Sequence, residues 1–217
     1  MALFGLVLKF VASVLLWPLA ACLGYALLRT GWDLPWMVAG DPAWLAAGFV
    51  AYLLVQFLFW RPLFFYVMGH ELTHALAAVL QGGKADDLHV SSKGGMVKVN
   101  VSNFLVNLAP YFFPIYTAAA ALIYLIAAEA FKPYFVALIG FTLAFHFALT
   151  LYSLKQHQSD ITEVGWLFAI PFIACVNVLI TWAVLRLVAA DKVSFQRFYQ
   201  DTWAAAQGSF YWVRARL

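Results

Sequence analysis

His70-Glu71-Leu72-Thr73-His74 reads H-E-x-x-H inside Pro62 to Leu80, a run that is otherwise nearly all apolar. On a helix, residues i and i+4 lie one above the other, so His70 and His74 share a face and Glu71 borders it. Two imidazoles on one stripe can grip Zn²⁺, and the adjacent carboxylate can take a proton from a water the metal has made acidic. Ionisable side chains are costly to bury in a long apolar segment, and where they occur they usually work. The three residues are therefore read as a metal site, not as histidines satisfied by nearby backbone.

The elements that would hold them follow from composition. Of 217 residues, 65% are hydrophobic and only 11% are charged, with a mean hydropathy of +0.85. Soluble domains carry about a quarter charged residues. A chain this apolar reads as a polytopic membrane protein, and as one integral membrane domain over 1–217. The formal charge of +3 and the absence of a basic, aromatic-interleaved patch exclude a nucleic-acid partner. Cys22 and Cys175 sit in apolar runs without disulfide or ligand spacing, so both are expected as free thiols.

Runs of roughly 20 apolar residues mark about six transmembrane helices. They cover about Leu3–Leu28, read as a retained span and not a cleaved leader, then Ala43–Trp60, Pro62–Leu80, Phe104–Ala128, Tyr134–Leu154 and Val164–Val188. Trp32, Pro35 and Trp36 suit an interface belt between the first two. Gly69, Thr73 and Ala77 form a small-residue stripe beside the motif, allowing close approach of another helix. After Gln81-Gly82-Gly83, the runs Leu88-His89-Val90 and Met96-Val97-Lys98-Val99 flank Ser91-Ser92-Lys93-Gly94-Gly95, a β-hairpin signal. Pro110 and Pro114 fall within the fourth span, where each removes a backbone donor and is expected to kink the helix. The tail 189–217 mixes aromatics with Lys192, Arg197, Arg214 and Arg216 and reads as an interfacial amphipathic helix. The fold class is thus all-α, with a short hairpin after the motif helix.

A catalytic zinc normally has three protein ligands and one open position. Counting span ends places the exit of the motif helix and the turn Lys155 to Glu163 on one side of the membrane. His74 lies about two turns, roughly 10 Å, inside that side. Asp160 is the favoured third ligand, with Glu163 the rival. The alternative is that both are solvated acids, Asp160 capping the sixth helix. His157 and His89 read as loop histidines, and Glu129 falls at the opposite face. His146 lies about four turns before Asp160, too far to share the metal, and is read as a group behind the ligands or bonded among the helices. Asn107, or backbone freed near Pro110, would hold an extended substrate or an oxyanion.

A membrane-embedded H-E-x-x-H, a following β-hairpin, a proline-marked helix and a later Asp resemble the site-2 protease family of intramembrane zinc metalloproteases. The resemblance covers roughly 62–188, and His70-Glu71-x-x-His74 is its specific part. It implies zinc held by His70, His74 and Asp160, Glu71 as catalytic base and acid, and a hairpin that guides an unwound substrate strand by edge pairing. The chain departs from the family in offering Ser159-Asp160-Ile161 where Leu-Asp-Gly is usual, and in lacking an inserted PDZ-like domain. The activity implied is hydrolysis of peptide bonds in membrane-associated proteins, in a multi-pass protein of the cell (inner) membrane, alone or in a homo- or hetero-oligomer. Two other readings stay open: a zinc-binding, non-proteolytic membrane subunit, and a prenyl-protein-type membrane metalloprotease using Glu163. Basic residues favour an N-terminus-inside topology, whereas the resemblance implies the reverse.

Overall fold

A computed structural model describes residues 2–34, 40–59, 61–156 and 158–216. Pro35 and Trp36 of the expected belt, Trp60 at the end of the second span and His157 lie outside the described residues. The elements are α1 (Ala2–Trp32), α2 (Asp41–Leu58), α3 (Leu63–Leu80), β1 (Ala85–Ser91), β2 (Gly94–Val99), α4 (Phe104–Phe112), α5 (Ile115–Ile126), α6 (Lys132–Leu154), α7 (Ser159–Val164), α8 (Trp166–Val188) and α9 (Phe195–Arg214), with a 3₁₀ turn at Glu129–Phe131. Five of the described helices are long and apolar enough to cross a membrane, or six if α4 and α5 count as one bent span. That is the helix-rich architecture with one small antiparallel sheet that the hydropathy pattern predicts.

Local chemistry sets the boundaries. Proline in the first turn of α2, beside Asp41, suits a helix start, where an unpaired N–H is not missed and an acid meets the positive dipole end. At the end of α3, Gly82 adopts φ +79°. Its N–H donates to Val79 O and that of Gly83 to Ala78 O, both at 2.9 Å. This reciprocal pair satisfies the last carbonyls and turns the chain into β1. The hairpin pairs Ala85 with Val99 and Ser91 with Gly94 around the turn Ser92-Lys93. Between Asp86 and His89 the register shifts by one, where Asp87 takes φ +50°, a bulge that raises the local twist.

Two expectations are corrected. The fourth span does not kink at Pro110: α4 runs through it to Phe112, and the break falls at Phe113-Pro114, where α4 and α5 bend by 67°. Phe113 has φ −97° and ψ 105°, the extended form that a following proline ring imposes. The stretch Lys155 to Glu163 is not a turn throughout: Ser159–Val164 forms the short α7, and Gly165 at φ +98° separates it from α8, which begins within two residues of the expected start of the sixth span.

The chain divides into two compact units, Met1–Trp36 with Gly165–Leu217, and Met37–Val164. In the first, α1 packs on α8 and α9, around Leu23, Ala26, Cys175 and Phe198, with Trp182 against them. Cys22 and Cys175 are free and buried. Helix α9 buries Phe198 but leaves Phe195, Tyr199, Trp203 and Phe210 exposed along its other side.

In the second unit, α2 and α6 touch backbone to backbone at two glycines. A Cβ on Gly48 would lie 1.8 Å from Ala137 O, and one on Gly140 would lie 2.0 Å from Leu45 O. Tyr52 fills the crossing, its ring edge-on to Phe141 and Phe145 at 5.2 and 5.4 Å. Since the obstacle is main chain, Gly140→Ala is expected to destabilise by about 1–3 kcal/mol. Gly208→Ala, in open space on α9, is expected to stabilise by about 0.5–1 kcal/mol through helix propensity. Unfolding midpoints of the two variants in detergent, moving in opposite directions, check the pair.

Candidate metal centre

Helix α3 is apolar on nearly every face, and the one turn that is not carries His70, Glu71 and His74. Helical spacing stacks the two imidazoles, their ring centroids 4.8 Å apart. Their Nε2 atoms are 3.1 Å apart. From α7, Asp160 Oδ2 comes to 3.3 Å from His70 Nε2 and 3.5 Å from His74 Nε2. These three residues form a group that could hold a metal ion. A tetrahedral ion with ligands at about 2.0–2.1 Å sets its donors about 3.3–3.4 Å apart, which matches the triangle.

The hydrogen-bond partners of each ligand residue fix how it points. His74 Nδ1 lies 2.9 Å from Val106 O. A carbonyl only accepts, so Nδ1 carries the proton, and in the neutral ring Nε2 is left bare toward the other two donors. Electron-rich atoms this close repel unless a proton or a cation sits among them, and that is the observation by which the group fits a divalent ion. His70 Nδ1 is 3.4 Å from the Tyr66 hydroxyl, one turn earlier on α3. The Tyr111 hydroxyl donates to Asp160 Oδ2 at 3.0 Å. Burial opposes ionisation of Asp160, but the neighbouring His70 and His74 imidazoles outweigh that and hold the carboxyl below the usual carboxylate range.

Glu71 is clamped by the hairpin. A Cβ on Gly95 would lie 2.7 Å from Glu71 Cγ and 2.6 Å from Val67 Cγ1, so β2 rests directly on the motif helix. Glu71, both histidines and Asp160 line a cleft of about 330 Å³, bounded by β2, Ser102, Asn107 and the start of α7. On the opposite side of His70 is a far smaller cavity of about 30 Å³, shared with Thr73, Pro110, Thr142 and His146. The small-residue stripe serves this side: a Cβ on Gly69 would meet the Tyr116 ring at 2.7 Å, and Tyr116 donates to Phe65 O at 2.7 Å.

The remaining candidates are placed as follows. Glu163 lines the cleft but lies outside the metal-ligand group, and it accepts a hydrogen bond from Asn107 Nδ2 at 3.1 Å. Asn107 also accepts from the Ser102 hydroxyl at 3.2 Å. His146 is buried on α6, behind His70 and outside the ligand group. His89 is exposed on β1, opposite Met96. Glu129 pairs with Lys132 at 2.5 Å, at the start of α6. Asp160 caps no long helix, since Gly165 stands at the N-terminus of α8.

Sequence reading missed Tyr66, Tyr111, Val106 and Gly95. Tyr66 was within reach, four residues before His70 on the same helix. The other three act through contacts between α3, α4 and the hairpin that spacing does not encode. Comparison of the chain with protein-family models, curated proteins and solved structures found no match.

Because Glu163 is engaged by Asn107 and Asp160 by the histidines, the two acids should separate on substitution. Asp160→Ala is expected to weaken Zn²⁺ binding by at least 10–100-fold, while Glu163→Ala changes it by less than about threefold. Metal content and chelator competition on the purified proteins check this.

Proposed function

We propose that the chain is an intramembrane zinc metalloprotease of the site-2 protease kind, cleaving peptide bonds of membrane-associated proteins. The observation that carries this reading is the convergence of His70, His74 and Asp160 beside Glu71, on a helix apolar enough to cross a membrane. In this reading the apolar helices span the cell membrane as about six segments, with α4 and α5 a single broken span. Helix α9 lies along the lipid surface on its exposed aromatics, the tryptophan and tyrosine side chains that favour interfaces.

His70, His74 and Asp160 would hold the ion, which when bound supplies charge that polarises a carbonyl and brings a water's pKa toward neutrality. The chain's own groups do the rest. Tyr111 and Val106 fix the directions of Asp160 and His74. Glu71, steadied by Gly95, takes the proton of the attacking water and returns it to the leaving amine. A substrate helix hides its carbonyls in its own hydrogen bonds, so the segment to be cut must enter extended. The cleft offers β2 backbone on one side and the Asn107 amide on another to receive such a strand.

Removing the proton acceptor while keeping the ligands separates chemistry from binding. Glu71→Gln is expected to retain Zn²⁺ and lower cleavage of a single-span reporter in reconstituted vesicles by about 10²–10⁴-fold. Undiminished turnover would take Glu71 out of the reaction. A wild type that holds zinc but cuts no reporter would leave a non-proteolytic metal-binding subunit as the reading.

A further inference from the structure

The geometry points to Pro110 as a positioning residue for the metal centre, acting through the carbonyl of Val106 on the ring of His74. This rests on the reading of His70, His74 and Asp160 as metal ligands.

Inside an α-helix the carbonyl of residue i is taken by the N–H of residue i+4. For Val106 that partner is residue 110, and Pro110 has no N–H to give. Helix α4 continues through the proline to Phe112, so Val106 stays in helical geometry with its carbonyl released. His74 Nδ1 occupies that carbonyl at 2.9 Å. Val106 is itself almost fully buried, and water cannot readily serve it in place of the imidazole. Prolines inside helices usually bend them, yet the bend here falls at Phe113-Pro114. What Pro110 contributes at its own position is therefore a free acceptor, aimed at one metal ligand from a neighbouring helix. Hydrogen bonding to the far nitrogen of a ligating imidazole sets which nitrogen faces the ion and holds the ring at its angle. An alanine at 110 would restore a donor four residues from Val106, and His74 would have to compete with it.

The test uses a matched pair in the full-length protein. Pro110→Ala supplies the N–H, while replacement of Pro110 by L-lactic acid, an ester of the same size, removes the ring without supplying it. Zn²⁺ affinity by chelator competition is expected to fall by about 10–100-fold in Pro110→Ala and to stay within about threefold of wild type in the ester. In metal-free ¹⁵N-histidine protein, the slowly exchanging Nδ1–H resonance of His74 should be present in wild type and ester and lost in Pro110→Ala. Equal weakening in both variants would assign the effect to ring packing and overturn the inference. So would an unaltered Pro110→Ala, or a wild type without the Nδ1–H signal. Pro110→Ser supplies the same N–H should the alanine chain not fold. A wild type that shows the Nδ1–H signal but binds no metal would sink the metal-centre reading while leaving the proline's effect on His74 measurable.

Discussion

Two imidazole nitrogens and a carboxylate oxygen meet within 3.5 Å of one another, and their mutual repulsion is the constraint around which the second unit is built. Left to themselves, such atoms would turn apart and seek solvent. Each is instead held: His74 by a main-chain acceptor and His70 by a phenol on its own helix, both at the far ring nitrogen, and Asp160 by a phenol on the next helix at the oxygen that faces the imidazoles. Atoms so placed can stay together when a proton or a cation sits among them, and the group could hold a metal ion.

Support for the group comes from elements whose local sequence is bent to the task. Asn103 caps α4 through bonds from the Leu105 and Val106 amides at 2.9 and 3.1 Å, which fixes where Val106 stands. Glycines remove bulk where main chain or a ring must come close, at Gly95 over Glu71 and at Gly69 under Tyr116. A carboxylate confined by a strand on one side and by imidazoles on the other has little freedom left to lose, which is how preorganisation would lower the cost of orientation in the proposed reaction.

Much of this was legible in the residues. The apolar runs gave the long helices to within a few positions, because hydropathy over 18–20 residues is a strong signal. Gly82-Gly83 announced the end of α3, and the alternation around Ser92-Lys93 announced the hairpin. His70, Glu71 and His74 share a stripe by arithmetic alone. What spacing could not supply was anything decided between helices. The residues favour Asp160 over Glu163, but the engagement of Glu163 by Asn107, 56 positions away in the chain, is not readable in them. The bend at Phe113 in place of Pro110 depends on which of two prolines sits where neighbouring helices let the chain turn. The segment Lys155 to Glu163, read as a polar turn, holds the separate helix that carries Asp160.

The two spaces flanking His70 differ tenfold in size, about 330 Å³ on the hairpin side and about 30 Å³ on the other. The smaller holds about one water molecule, so it can hydrate a side chain but cannot pass a peptide. In the proposed reaction, peptide and product fragments would use the cleft on the hairpin side. A product that lingers at that threshold would obstruct the next arrival, and turnover would be governed by departure as much as by bond breaking.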